Sequence, residues 1–105
     1  SCAVKIVGGT GIQIKRNFFC GWYTTTVGAI TGITTLTSAI DISDNVIINQ
    51  TASATKAVVL LTGSTGGTYN NGFGIGSGAA PITSDAAWWG RNWSAAAVAT
   101  NGTLV

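Results

Sequence analysis

Few side chains in this sequence could support acid–base or nucleophilic chemistry. Histidine, the commonest general base, is absent from the 105 residues, and the acidic residues are Asp41, Asp44 and Asp85. Two carboxylates that flank a glycosidic bond could hydrolyse it, so Asp85 with Asp41 or Asp44 is the pair to consider. No second feature supports that pair, and we expect these aspartates to cap turns or solvate loops. The sequence therefore predicts a protein that is not an enzyme.

Metal and cofactor sites are not indicated either. Asp41 and Asp44 could lend oxygens to Ca²⁺, but the twelve-residue calcium-loop signature is missing. The two cysteines and three aspartates do not form a set of four zinc ligands at a recognised spacing. The glycine-rich segment 63–78 lacks the lysine of a P-loop and the G-x-G-x-x-G spacing of a dinucleotide site. We predict no metal and no cofactor.

The charge content limits the partners of this chain. Five basic and three acidic residues give a net charge of +2, which is too small and too scattered to bind phosphate backbones. The longest apolar run, 57–61, is far shorter than a membrane span. Low charge also weakens the repulsion that keeps monomers apart. We therefore expect no nucleic-acid partner and no membrane span. We also expect that other copies of the protein cover much of its surface.

Cysteines and sequons favour a secreted protein. Cys2 and Cys20 are an even pair in a small chain, which predicts a disulfide between them, with two unrelated thiols as the alternative. Three N-x-[ST] motifs place candidate N-glycans at Asn49, Asn92 and Asn101. A glycan at Asn92 would keep the surface around this residue accessible to solvent. We expect a glycoprotein that is secreted or displayed at the extracellular surface.

Three of the four tryptophans, Trp88, Trp89 and Trp93, lie within six residues, with Arg91 among them. Large aromatic side chains commonly pack over one end of a sheet. They also stack on sugar rings, and together with arginine they are enriched at the centres of protein interfaces. The sequence leaves these three interpretations open. At helical spacing, Trp89 and Trp93 would share one face.

The elements that position these residues are predicted mainly from an apolar period of two. Two alternating stretches flank 8–10, which predicts a β-hairpin, and further strands are expected at 18–27, 33–37, 45–49 and 56–62. The segment 63–78 is predicted to be a long loop or a glycine-rich strand against another backbone. Ser84 and Asp85 offer an N-cap, so a short helix is predicted from Ala86 to about Ala99. We identify no internal repeat.

The predicted fold is therefore one all-β domain over 1–105, a small antiparallel sandwich or barrel-like sheet with the short helix near its C-terminus. The predicted function is that of a structural subunit of an extracellular, self-assembling polymer, either a pilus-like filament or a shell. Copies would be held by contacts between sheet edges and by aromatic contacts. The alternative is a small lectin-like module that binds carbohydrate through Trp88, Trp89 and Trp93.

Overall fold

The computed structural model describes residues 2–23, 28–50, 56–61 and 63–74, and the backbone of short strands within 82–104. Every regular element in this part of the chain is a β-strand, so it holds no helix that could cross a bilayer. The strands are β1 (Val4–Lys5), β2 (Gly9–Thr10), β3 (Gln13–Lys15), β4 (Phe18–Gly21), β5 (Ile30–Gly32), β6 (Thr37–Ser38), β7 (Ile40–Ser43), β8 (Val46–Asn49), β9 (Val58–Leu60), β10 (Gly66–Tyr69), β11 (Gly72–Gly74), β12 (Ile82–Thr83), β13 (Trp88–Trp89), β14 (Trp93–Ala95) and β15 (Thr103–Leu104).

The strands form three main parallel sheets. The first sheet has the order β1-β5-β9-β12, the second β3-β7-β10-β13, and the third β4-β8-β11-β14, with β15 added antiparallel at its edge. A further parallel pair joins β2 to β6. The all-β prediction is confirmed, but the predicted antiparallel arrangement is wrong, because each strand pairs with a strand from the next turn of the chain.

The register shows that the chain winds as a parallel β-helix. Each turn contributes one strand to every main sheet, so residues at the same place in successive turns lie side by side. The register rows are Val4, Ile30, Val58 and Ile82 in the first sheet, Ile14, Ile42, Thr68 and Trp89 in the second, and Phe19, Ile47, Phe73 and Ser94 in the third. Four turns are therefore stacked along one axis.

The core is a set of apolar rows that run along that axis. In the second sheet Ile14 and Ile42 are 8% and 0% exposed, and in the third sheet Ile47 and Phe73 are 0% and 3% exposed. Because alternate residues of a strand point to opposite faces, the residues between these core positions face outward. One turn cannot bury its apolar face alone, so each turn is stabilised by its neighbours.

Two predictions from the sequence are wrong: that residues around 8–10 form a β-hairpin, and that the chain has no internal repeat. Gly9–Thr10 pairs in parallel with Thr37–Ser38 of the next turn. An alternating pattern states which residues point inward, but it does not say which strand is the partner. The repeat consists of stacked strands with polar residues at the corners between them, and the number of residues per turn varies.

Two other segments with predicted structure also contain strands. Trp88–Trp89 and Trp93–Ala95 are β-strands, so the helix predicted over 86–99 is wrong for these residues. Within the glycine-rich segment, Gly66–Tyr69 and Gly72–Gly74 are strands against neighbouring backbones, which confirms the second of the two interpretations for that part. The predicted strand at 56–62 is an interior strand over Val58–Leu60, and all three of its residues are buried.

Asparagines stack at the corner between the second and third sheets. The Oδ1 of Asn45 accepts hydrogen bonds from the backbone N and the Nδ2 of Asn17, at 3.0 and 3.2 Å. The Oδ1 of Asn71 accepts the same two bonds from Asn45, at 2.9 and 3.0 Å. Each Nδ2 also reaches a carbonyl of the preceding turn, Asn45 to Ile14 at 2.9 Å and Asn71 to Ile42 at 3.0 Å. We call this row the asparagine ladder.

The asparagine side chains can form this ladder because the backbone turns sharply just before each of them. Arg16, Asp44 and Asn70 have φ values of 56, 58 and 54°, in the left-handed region. Such values cost a non-glycine residue free energy, although Asp and Asn tolerate them best. The repeated bend directs the asparagine side chain inward, where Asn45 and Asn71 are each 1% exposed. The hydrogen bonds satisfy buried polar groups that a sharp corner would otherwise leave unpaired.

Replacing Asn45 tests whether the ladder stabilises the stack. Asn45→Ala removes the Nδ2 donor to the Ile14 carbonyl and the Oδ1 acceptor of the two Asn17 donors, while the Asn71 Oδ1 keeps only the backbone N–H of residue 45. We therefore expect the free energy of unfolding to fall by about 2–4 kcal/mol. Urea denaturation gives the value. The matched control is Asn17→Ala, since Asn17 is exposed at the end of the described ladder, and its cost should be about 1 kcal/mol or less. Equal losses for both variants would contradict this role.

Candidate functional site

The outward face of the third sheet is apolar in the three turns whose side chains the structure describes, and the register continues into Trp93 and Ala95 of the fourth turn. Its two rows pair in register, the first through Phe18, Val46, Gly72 and Trp93, the second through Cys20, Ile48, Gly74 and Ala95. We call these eight register positions the apolar face. Phe18 is 67% exposed and Val46 is 43% exposed, although both are large hydrophobic residues. No charged residue occupies any of the eight positions.

Trp22 is a further exposed aromatic residue, close in sequence to this face. It follows β4 directly and is 72% exposed, the largest exposed fraction among the large hydrophobic residues of the described chain. Scattered single hydrophobic residues are normal at a surface, but contiguous rows usually mark an interaction site. The sequence prediction of an aromatic interface named Trp93, which lies in the first row, and missed Phe18, Val46 and Trp22.

The outward face of the second sheet is different, because it carries a polar cluster. The Lys15 Nζ lies 3.3 Å from the Asp41 Oδ2, and the Ser43 hydroxyl donates a 2.8 Å hydrogen bond to the Asp41 Oδ1. Burial acts to raise the pKa of Asp41, but hydrogen bonds from Ser43, Lys15 and Tyr69 and the charge of Lys15 outweigh it, so the pKa lies below its usual value. Asp41 is therefore an anion held among three donors.

The tryptophans of the sequence cluster are distributed over different rows. Trp88 pairs with Gly67, which pairs with Asp41, so Trp88 shares a register row of the second sheet with Asp41. Trp89 pairs with Thr68 in the inward row, and Trp93 lies in the apolar face of the third sheet. The prediction that Trp89 and Trp93 share a helix face is wrong, because both lie in strands. Arg91 lies outside the described residues.

The two cysteines are free thiols, and the predicted disulfide between Cys2 and Cys20 is absent. Cys20 occupies an exposed position of the apolar face, whereas Cys2 precedes β1 of the first sheet. Cys20 therefore lies in the third sheet, whereas Cys2 lies before the first strand of the first sheet. The free thiols remove one of the observations that favoured a secreted protein.

The glycan candidates have different surroundings. Asn49 is 4% exposed; its Oδ1 accepts a hydrogen bond from the Tyr23 backbone N at 3.1 Å, and its Nδ2 donates to the Lys56 carbonyl at 3.3 Å. A glycan on the folded chain does not fit this buried amide. Asn92 and Asn101 lie outside the described residues. In sequence, Asn92 directly precedes Trp93, as Asn71 precedes Gly72 one turn earlier.

The described residues hold no group of three or more His, Cys, Asp or Glu side chains that could bind a metal ion. Their distinctive surfaces are instead the apolar face and the Asp41 cluster, which lie on adjacent sheets of the β-helix. No family model matches this chain, and no curated protein or solved structure matches it.

Proposed function

We propose that the protein is a structural subunit of an extracellular polymer and that its copies associate through the apolar face. The observation that carries this proposal is that all eight register positions of the apolar face are occupied by apolar residues or glycine, while the second sheet places Gln13, Lys15 and Asp41 outward. Exposing such rows to water is unfavourable, at about 25 cal/mol per Å² of apolar surface. Covering them with another copy removes that cost.

The size of the face limits how strong this association is. Strands lie about 4.8 Å apart and rise about 3.3 Å per residue, so four short strands span roughly 15 by 10 Å. A stable pair of proteins commonly buries about 800 Å² on each partner. The apolar face alone therefore supports a weak contact, and a polymer needs a second type of contact that repeats along the β-helix axis.

The strands of the first turn supply a candidate for that second contact. β1, β3 and β4 each stand at the end of their sheet, with no strand on the outer side within the described residues. Unpaired strand edges are templates for pairing with another chain. In β3 the Ile12 carbonyl accepts from the Asp41 N and the Arg16 N donates to the Ser43 carbonyl, so even-numbered residues bond β7. The backbone groups of Gln13 point to the open edge, whereas the Lys15 carbonyl accepts a hydrogen bond from the Asn17 Nδ2 at 3.0 Å.

The basic residues of this turn indicate how copies would be arranged. Lys5, Lys15 and Arg16 belong to the first turn, which has no acidic residue. Two first turns placed edge to edge would bring like charges together, which is unfavourable. Head-to-tail stacking avoids this repulsion, and repeated head-to-tail contacts that do not close produce filaments.

Removing the apolar side chains should weaken self-association. For the double variant Phe18→Ser with Val46→Thr we expect the apparent dissociation constant to rise about tenfold or more, because about 1.4 kcal/mol corresponds to tenfold. Sedimentation velocity across a range up to the millimolar gives the constant. Gln13→Ser on the second sheet is the matched control and should leave it unchanged. A wild-type chain that stays monomeric throughout contradicts the proposed function.

A proline at position 13 tests the contact through the strand edge. Gln13→Pro removes an N–H that points away from β7, so the bonds within the sheet remain and only the outer edge is blocked. We expect elongated particles in negative-stain microscopy to disappear, while circular dichroism stays that of a folded β protein. Gln13→Ala keeps the N–H and should assemble like the wild type. Filaments of unchanged length in the proline variant would exclude this edge.

A second candidate function, carbohydrate binding, is favoured by one observation on the second sheet. Asp41 and Trp88 lie in the same register row, separated by Gly67, which has no side chain. A carboxylate, an ammonium group and a hydroxyl beside an aromatic position form a set that recognises sugar hydroxyls and ring faces.

Glycan-array binding separates the two functions. If the polar cluster binds sugar, we expect the wild type to bind and both Asp41→Asn and Trp88→Ala to lose binding. The first change removes the carboxylate and the second removes the aromatic ring. Phe18→Ser, on the other sheet, serves as the control and should bind as the wild type does. Absence of binding to any glycan would retire this candidate without affecting the structural one.

A further inference from the structure

The third sheet has one strand more than the first and second sheets. Its order ends in β14 and β15, whereas the first sheet ends in β12 and the second in β13. β15 pairs antiparallel with β14, through Leu104 beside Trp93 and Thr103 beside Ser94, while every other strand pair of the described residues is parallel. We call the end formed by β1, β3 and β4 the head, and the end formed by β12, β13 and β14 the tail. β15 therefore covers the tail of the third sheet without continuing the winding of the chain.

The edge that β15 covers is the one on which another turn would stack. β4, β8, β11 and β14 follow one another in a single parallel register that ends with Phe73 beside Ser94. In a head-to-tail contact that keeps this register, β4 of the next copy lies on β14, and its Phe19 lies beside Ser94. A strand pairs along two edges, and β11 already occupies the other edge of β14. β15 and β4 of the next copy are therefore alternative partners of β14.

The two alternative pairings differ in length. β15 covers two of the three residues of β14, with Thr103–Leu104 beside Trp93 and Ser94. β4 is four residues long, Phe18–Gly21, and all of them pair with β8 inside the chain. It therefore has enough length to pair with all of β14, as β11 does through Gly72–Gly74. Each further backbone hydrogen bond adds a small net stabilisation, so the pairing with β4 is the stronger of the two.

Apolar surface at the head adds to the advantage of a second copy. Val4, Ile12 and Phe19 of the first turn are only partly buried, although they pack against the core. In the second turn Ile42 and Ile47 are 0% exposed, because a turn lies on each side of them. A copy stacked on the head would cover the first turn in the same way, and burial of apolar surface is favourable. β4 therefore approaches β14 as part of a larger contact, whereas β15 pairs alone.

We propose that β15 is an internal strap that closes the tail of the free subunit and is displaced when β4 of a second copy pairs with β14. This inference rests on the proposed function, because it states how the head-to-tail contact of that polymer is regulated. β15 is tethered to the edge that it covers, so it competes at an effective concentration on the order of millimolar. The strap is displaced when β1, β3 and β4 of the second copy stack on the tail together. Assembly therefore begins only above a threshold concentration that β15 sets.

Removing β15 tests the strap directly. A chain that ends at Gly102 lacks the competing strand, so we expect the threshold concentration for assembly to fall about tenfold or more. Light scattering across a concentration series, with negative-stain microscopy of the particles, gives the threshold. A chain that lacks only Val105 keeps both residues of β15 and should assemble like the wild type. Gln13→Pro in the chain that ends at Gly102 should abolish the gain, because it blocks the head.

A reversible lock tests the same strap without removing residues. Ser94 and Thr103 are directly opposed, and opposed residues of an antiparallel pair have Cα atoms about 4.5–5.5 Å apart, which suits a disulfide. The lock is Ser94→Cys with Thr103→Cys, in a background that carries Cys2→Ser and Cys20→Ser. With the disulfide closed we expect no assembly, and dithiothreitol should restore the threshold of the background chain. Mass spectrometry of the closed and reduced chains verifies the bond.

The results separate the inference from the proposed function. If the wild type assembles and neither the truncation nor the closed lock changes its threshold, the inference is overturned and the proposed function stands. Assembly of the truncated chain that persists with Gln13→Pro would also overturn the inference, since the exposed β14 edge would then be pairing without a head. If the wild type and the truncated chain both remain monomeric at millimolar concentration, both fail.

Discussion

The structure depends on the asparagine ladder at the corner between the second and third sheets. A parallel β-helix must turn the chain sharply at the same place in every coil, and each turn leaves backbone amides and carbonyls inside the molecule. Asn45 and Asn71 satisfy these groups and join neighbouring turns in the same hydrogen bonds. Because the ladder sets the register, it also decides which residues line up on each face. The apolar rows and the polar cluster both follow from that register.

The outward faces of the second and third sheets differ because the register aligns different residue types on each sheet. On the third sheet the aligned outward positions of the first three turns are apolar or glycine, as in the row of Phe18, Val46 and Gly72. On the second sheet the aligned positions bring Lys15 and Asp41 into an ion pair with Ser43 and Tyr69 close by. A β-helix is suited to this division, because every turn adds one residue to each row and so extends a surface without changing its chemistry. The apolar face and the Asp41 cluster therefore occupy adjacent faces of one small domain.

Some of this was accessible from sequence. The strands predicted at 45–49 and 56–62 are present as Val46–Asn49 and Val58–Leu60. The repeat was missed because its most regular mark is small: a residue in left-handed conformation followed by asparagine, as in Arg16-Asn17, Asp44-Asn45 and Asn70-Asn71. Arg91-Asn92 has the same order in sequence. Spacings of 28 and 26 residues between the ladder asparagines, rather than one constant value, obscured the period.

The sequence by itself determined the secondary-structure class, the low charge and the scarcity of groups for catalysis, because these depend on residue types and local alternation alone. Only the tertiary structure decided that the strands pair in parallel, that Trp88 and Trp93 lie on different sheets and that Cys2 and Cys20 remain free thiols. The physical reason is that strand pairing is a contact between residues about one turn apart, and no local preference states which distant strand will be the partner. The apolar face exists only after that pairing, since Phe18, Val46 and Gly72 are separate in sequence and become neighbours through the stacking of turns.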